Sequence, residues 1–222
     1  MATAKKHDFV EIEYTGRIKE DNTIFDTTQE KVAKQHDVYD EHSDYKPQII
    51  CLGENFLVKM LEEQLIGKET GKDYVIDVRH EDAYGNKDAK LIQMIPLNKF
   101  RQQKIEPFPG LQLNIDGVFG IVRTVSGGRC MVDFNHPLAG KDLVYEIKIN
   151  RIVEDSKEKL KSLLKMMLHA KDAKIELKED SAAIALKHEV PKEAQQELQK
   201  IVERLVPAIK KLDFTIVQEK KQ

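Results

Sequence analysis

The side chains of this sequence best equipped for chemistry fall into three groups. His36, Asp37, Asp40, Glu41, His42 and Asp44 crowd into one short segment, and imidazole with carboxylate suits a zinc or nickel ion. The surrounding stretch, residues 29–47, is polar throughout and reads as an exposed loop, so solvation rather than metal is the expectation there. Cys130 and His136 offer the nucleophile and base of a cysteine hydrolase, but nothing in the sequence supplies a third orienting group or an oxyanion hole. Cys51 and Cys130 stand far apart, each without a Cys or His at metal-ligand spacing, which argues against a disulfide framework or a zinc knuckle. Both lie in apolar runs and are expected as buried fillers. No metal or cofactor is expected. The third group is aromatic: Tyr14, Phe25 beside Asp26, Tyr84 and Tyr145. Taken singly, Tyr14, Phe25, Leu61 and Tyr145 read as core residues. Asp26 alone reads as a turn or surface carboxylate, although beside Phe25 it can be partly buried and oriented by hydrogen bonds.

What these residues do together depends on the elements that carry them. Residues 8–15 alternate, with Val10, Ile12 and Tyr14 on one face and Glu11 and Glu13 on the other, the pattern of a half-buried strand. A turn at 20–22 leads to Ile24-Phe25-Asp26-Thr27. After Ile49 to Gly53, the segment from Asn55 to Leu65 repeats Leu57, Val58, Leu61 and Leu65 at helical spacing, with Gly67 placed to stop a helix. Tyr74 to Val78 reads as a strand and His80 to Gly85 as a structured turn. Between about Leu91 and Phe134, short β-like runs around Leu111, Val118 to Val125 and Cys130 to Phe134 are punctuated by Asp116-Gly117 and Gly127-Gly128. Leu143 to Ile149 alternates strictly and belongs with the first sheet, which makes the β-rich stretch an insertion. From Ser156 the pattern is helix, hairpin, helix and strand. Asp155 and Glu158 sit as a cap before the first helix, Pro191 opens the second, and Phe214 to Val217 closes the series.

The order Tyr14-Thr-Gly16, Thr23-Ile-Phe25-Asp26-Thr27, Leu52-Gly53-Glu54, Glu81-Asp-Ala-Tyr84-Gly85 and Asn135-His136-Pro137-Leu138-Ala139-Gly140-Lys141 resembles FKBP-type peptidyl-prolyl isomerases. Within them it is most similar to the SlyD-like group and its longer archaeal relatives. The resemblance covers about residues 7–152. It implies an α+β fold: an FKBP-like antiparallel β-sheet wrapped on a short helix (1–87 and 135–153), an inserted β-rich flap domain (88–134) and a C-terminal α+β domain (154–222). It also implies a shallow apolar pocket formed by Tyr14, Phe25, Asp26, Leu57, Val58, Leu61, Tyr84 and Tyr145. Leu61 stands where the best-known single-domain members have Trp, and Tyr145 where they have Phe, so altered affinity for large macrolide inhibitors is expected rather than lost catalysis. The partners implied are unfolded or proline-containing polypeptides. SlyD-like members often end in a His-rich metal-binding tail; this chain ends Glu219-Lys-Lys-Gln222.

Composition bounds these readings. With 36 Lys+Arg against 38 Asp+Glu there is no global drive toward nucleic acid or an anionic membrane. No window approaches the ~18 apolar residues of a membrane span, and the expected location is cytoplasmic. Residues 156–222 carry 15 Lys+Arg against 11 Asp+Glu, a mild excess of +4 with no motif attached. Two alternatives stay open beside an isomerase with chaperone activity. One is a holding chaperone with little catalysis; the other is a scaffold whose C-terminal domain binds a partner, such as ribosomal RNA or a second copy in a homodimer.

Overall fold

The structure, a computed structural model, describes residues 2–115 and 117–216. In chain order the elements are β1 (Phe9–Ile18), β2 (Ile24–Thr27), α1 (Glu30–Gln35), β3 (Gln48–Cys51), α2 (Lys59–Leu65), β4 (Asp73–Val78), β5 (Ile92–Pro96), α3 (Leu97–Gln102), β6 (Gln112–Ile115), β7 (Val118–Ser126), β8 (Arg129–Asp133), β9 (Leu143–Val153), α4 (Ser156–Leu168), β10 (Lys174–Lys178), β11 (Ser181–Leu186), α5 (Lys192–Leu205) and β12 (Lys211–Ile216). Short 3-10 turns cover His80–Asp82 and Ala89–Leu91. Asp116, expected in a turn with Gly117, Val217, expected to close the last strand, and the terminal residues 219–222 lie outside the described residues.

The chain divides into two compact units, residues 1–78 with 144–222 and residues 79–143. In the first, the sheet runs β2-β1-β9-β4, with β3 also on β1. The length of β1 matters, because two strands share one of its edges. β3 pairs antiparallel along Phe9 to Ile12, and β2 pairs antiparallel along Thr15 to Arg17, with a bulge after Gly16. Val10 and Ile12 are fully buried, as the alternation of β1 requires.

The C-terminal elements belong to this unit. α4 buries Leu160, Leu163 and Leu164, one stripe at helical spacing, and Asp155 caps it by accepting the Glu158 N–H at 2.7 Å. β10 and β11 form an antiparallel hairpin, while β11 and β12 are parallel and so require the crossover that α5 provides. These residues share one core with Phe9, Cys51 and Val153 of the first sheet. The segment expected to stand as a domain of its own therefore buries its apolar face against the sheet.

The second unit is a four-stranded antiparallel sheet in the order β5-β8-β7-β6. Its core is Phe100, Leu113, Val122, Cys130 and Val132. Here the sequence pattern misses β5 and α3, because Ile92 to Gln102 mixes apolar and polar residues without a clean period. The polar stretch 29–47 likewise holds α1, a correction to the loop expected there. Lys34 and Glu30 pair one turn apart and Ala33 is fully buried, so a short helix is held by a single apolar anchor. Both cysteines are buried, as expected.

Candidate functional site

Tyr14 lies on β1 between the segment paired with β3 and the segment paired with β2, so its backbone groups need partners outside both ladders. Thr28 provides them. Its hydroxyl accepts the Tyr14 N–H at 2.9 Å and its N–H donates to the Tyr14 carbonyl at 3.0 Å. This fixes the end of β2 against β1 and brings Asp26 under the Tyr14 ring. The Tyr14 hydroxyl donates to Asp26 Oδ2 at 2.6 Å, and an O–H to carboxylate bond that short is charge-assisted. Tyr145, on β9, is 4% exposed. Its ring stands T-shaped to Phe25 at 5.8 Å between centroids and lies 6.1 Å from the Tyr14 ring, within the range of favourable aromatic pairs.

Gly16 makes this packing possible. A Cβ there would stand 2.6 Å from the Phe25 ring and 3.1 Å from Tyr145. The Tyr-Thr-Gly order thus carries a steric requirement that the sequence does not display. Beside Tyr14 and Phe25 opens a cavity of about 340 Å³, lined also by Asp26, Val38, Asp44, Tyr45 and Lys165 among others; Tyr145 is not part of its lining.

Of the eight residues expected in the pocket, Tyr14, Phe25, Asp26 and Tyr145 are brought together. Leu57 and Val58 are half-buried on the approach to α2, which begins at Lys59 rather than Asn55, and Leu61 is buried on α2 itself. One residue organises that approach and was not expected. Glu62, 1% exposed, accepts the N–H groups of Gly53 at 2.8 Å, Asn55 at 3.0 Å and Leu57 at 2.6 Å. These donors close a loop in which Gly53 and Asn55 both hold positive φ. The available signal was a charge on an apolar stripe, since Val58, Leu61, Glu62 and Leu65 keep the i, i+3, i+4, i+7 spacing of a buried helix face.

Tyr84 belongs to the second unit, where its ring stacks on His136 at 4.2 Å and 4° between planes. In the same unit Asn135 ties together the two chain segments that bound the four-stranded sheet. Its side chain accepts the Asp88 N–H at 2.8 Å and donates to the Asp88 carbonyl at 3.0 Å and to Asp133 Oδ1 at 2.9 Å. Burial alone would push the Asp133 carboxyl up, but the Asn135 side chain and N–H, then Arg123 and Lys87, outweigh it and hold it at about 2.

The other candidates have different employment. Among the described residues no three His, Cys, Asp or Glu side chains gather as metal ligands would. Asp40 instead accepts the His42 N–H at 2.9 Å and the Ser43 hydroxyl at 3.1 Å, forming a turn. Burial pushes the Cys130 thiol up and the Cys51 thiol up to about 12, so neither is poised as a thiolate. No helix is long and apolar enough to cross a membrane among the described residues.

Comparison with known proteins bears on the whole arrangement. A family model described as FKBP26, IF domain, matches residues 93–138. The short-type peptidyl-prolyl cis-trans isomerase of Methanocaldococcus jannaschii is 33% identical over 148 residues, covering 67% of this chain and 93% of that protein. The FKBP-type peptidyl-prolyl cis-trans isomerase SlyD of Vibrio cholerae is 29% identical over 134 residues, 59% of this chain and 66% of that one. The FKBP-type 16 kDa peptidyl-prolyl cis-trans isomerase of Escherichia coli K12 is 30% identical over 111 residues, 48% of this chain and 74% of that one.

Proposed function

This chain belongs to the FKBP-type peptidyl-prolyl cis-trans isomerase family, and we propose that it turns X-Pro bonds of unfolded polypeptides in the pocket of Tyr14, Phe25, Asp26 and Tyr145, capturing those chains on the sheet of its second unit. Leu57, Val58, Leu61 and Tyr84 are assigned to catalysis with them in this reading. The observation that carries it is the aromatic cluster around the Tyr14–Asp26 bond, opening on a cavity large enough for a prolyl ring and its neighbours.

The chemistry suits such a pocket. Rotation about the amide must cross about 18–20 kcal/mol because resonance is lost at the twisted geometry. No bond to the enzyme is needed. A twisted amide is less dipolar than a planar one, so an apolar wall favours it, and an oriented hydroxyl or backbone N–H can hold the carbonyl. Taking a step of tens of seconds to milliseconds asks for about four decades, roughly 5–6 kcal/mol. Desolvation and a few fixed contacts are of that size.

The capture role rests on side chains that the second unit leaves outside its core. Met94, Phe108, Val118 and Phe119 are 63%, 57%, 52% and 43% exposed. Met94 stands opposite Met131 across β5 and β8, on the face turned away from Cys130 and Val132. Flexible thioethers and exposed aromatic rings suit a surface that must accept many sequences.

The test is Asp26→Ala and Tyr84→Ala in the intact chain. After circular dichroism shows both folded, isomerisation of a proline tetrapeptide is measured beside suppression of aggregation. Catalysis is expected to fall by one to two decades, about 1.4–2.7 kcal/mol of transition-state stabilisation, while holding persists. Folded variants with full turnover would show the pocket to be elsewhere.

A further inference from the structure

The C-terminal elements reach the proposed pocket by two independent routes. The first starts on α4. Lys165 Nζ donates to Gln48 Oε1 at 2.6 Å and lies 3.4 Å from Asp44 Oδ2, and Lys171 Nζ donates to the His42 carbonyl at 3.1 Å. All three acceptors belong to residues 42–48, the segment that contributes Ser43, Asp44, Tyr45 and Gln48 to the cavity that Tyr14 and Asp26 also line. Lys165 and Lys171 line that cavity themselves. The second route starts on α5. Arg204 grips Glu54 with both terminal nitrogens, at 2.6 and 2.7 Å, and the Glu54 side chain is only 13% exposed. Glu54 lies in the loop that Glu62 closes from the other side, ahead of Leu57 and Val58. Phe56 of the same loop packs against the C-terminal core.

Neither loop has regular structure to hold it. Residues 36–47 connect α1 to β3 with Asp37 at φ 57°, and residues 53–58 precede α2. Ordering such a backbone costs about 1–2 kcal/mol per residue, and a wall displaced by about 1 Å is enough to cost a catalytic pocket two decades of rate. The forked Arg204–Glu54 contact fixes direction as well as distance. The donors come from three positions: Lys165 ends on Asp44 and on Gln48, the first residue of β3, Lys171 on the loop before β3, and Arg204 on the loop before α2.

We propose that residues 156–216 form a wall and brace of the isomerase site, with Lys165, Lys171 and Arg204 as positioning residues for the two loops that border it. This rests on the pocket reading above. The C-terminal elements then bear on catalysis even for a substrate too short to reach the second unit.

The experiment uses the full chain and a proline tetrapeptide. Lys165→Met keeps the stem and removes the donor, Lys165→Arg keeps a donor, and Arg204→Gln breaks the second route. Asp26→Ala is measured alongside. Lys165→Met and Arg204→Gln are each expected to lower kcat/KM about 5- to 20-fold, chiefly through KM, with unchanged circular dichroism, while Lys165→Arg stays within about 2-fold of the parent. Asp44→Asn combined with Lys165→Met should be little worse than Lys165→Met alone, as expected for residues acting through one contact. Folded Lys165→Met and Arg204→Gln with parental turnover, while Asp26→Ala loses it, would overturn the brace and leave the pocket standing. An active Asp26→Ala would overturn both. A Lys165→Met that melts early and is not rescued by Arg would assign the contact to stability alone; should it not fold at all, Arg204→Gln decides.

Discussion

Around Tyr145 the apolar side chains are locked in place. The ring is 4% exposed, Phe25 stands T-shaped to it, and Gly16 leaves no room for even a methyl group between them. In the second unit Met94 and Val118 on the sheet and Phe108 in the segment between α3 and β6 are each more than half exposed, and two of the three have long or aromatic side chains free to change rotamer. In the proposed function the same residue classes do opposite work. Packed rings with one oriented carboxylate define a single geometry, which a transition state needs, whereas exposed and adaptable ones tolerate many geometries, which a capture surface needs. In the proposed division of labour, one unit is specific to a bond and the other is indifferent to sequence.

The largest effect expected from breaking this division is replacement of residues 88–134 by a short loop. In the proposed function this segment tethers a bound chain to the catalytic unit, and such tethering is worth two to four decades in effective concentration. Proline-limited refolding of an unfolded protein should slow by about two decades, while tetrapeptide turnover stays within about 3-fold. Equal loss on both substrates would make residues 88–134 a structural support of the catalytic site and end the contrast.

A steric pair comes next. Gly16→Ala places a Cβ 2.6 Å from Phe25, and Gly120→Ala places one 2.7 Å from the Phe134 ring in the second unit. Overpacking of this kind costs about 1–3 kcal/mol. The two methyl groups should report on different functions. Gly16→Ala is expected to cut tetrapeptide turnover about tenfold or more. Gly120→Ala should leave that turnover alone and lower the thermal stability of the second unit and its holding activity. Reversal of the two phenotypes would reverse the roles assigned here.

The contrast also governs what the sequence could tell. Alternation in β1 and β9 and the helical stripes of α4 and α5 were legible, because each buries one face and leaves the other wet. The residues proposed for the pocket were suggested by motif order, since nothing in the spacing of Tyr14, Phe25 and Tyr145 distinguishes rings that pack into a site from rings that pack into a core. What escaped notice depends on contacts distant in sequence. Lys165 meets Gln48 and Arg204 meets Glu54 across more than a hundred residues, and a lysine on an amphipathic helix reads as solvated wherever it points. α1 escaped for a different reason: six residues with one buried alanine give no period to detect.

A smaller effect is expected at the base of the second unit. Asp133 is 2% exposed, and its carboxyl is held at about 2 by Asn135, Arg123 and Lys87 against the cost of its burial. A depressed folded value contributes stability that is complete above the unfolded value near 4 and is lost as pH falls toward 2, up to about 2 kcal/mol. Acid titration should therefore melt the second unit before the first, and Asp133→Asn should remove most of that pH dependence. If both units lose structure together in acid, and the variant titrates like the parent, the Asp133 network does not set the limit.

The smallest expected effect lies on the alkaline side and tests whether catalysis shares any titrating group with the second unit. His80 Nδ1 is 2.6 Å from Asp142 Oδ1, which also accepts the His80 backbone N–H at 2.8 Å. The hydrogen bond to Asp142 raises the His80 value above its ordinary 6.5, against desolvation, with the charges of Asp142 and Glu81 adding to the rise. A raised folded value means the contribution is fully present below pH 6.5 and is lost as pH climbs through the folded value. The pair is partly exposed and screened by solvent, so the loss is small. The melting temperature of the second unit should drift down between pH 6 and pH 8, and Asp142→Asn, which can still accept the backbone N–H, should flatten the drift. Tetrapeptide turnover in the parent chain should stay level over the same range, because a rotation driven by desolvation and fixed contacts uses no general acid or base. A turnover profile that bends with the His80 titration, and straightens in Asp142→Asn, would mean that the turn carrying Tyr84 couples proton binding to catalysis and that the two units are not independent in function.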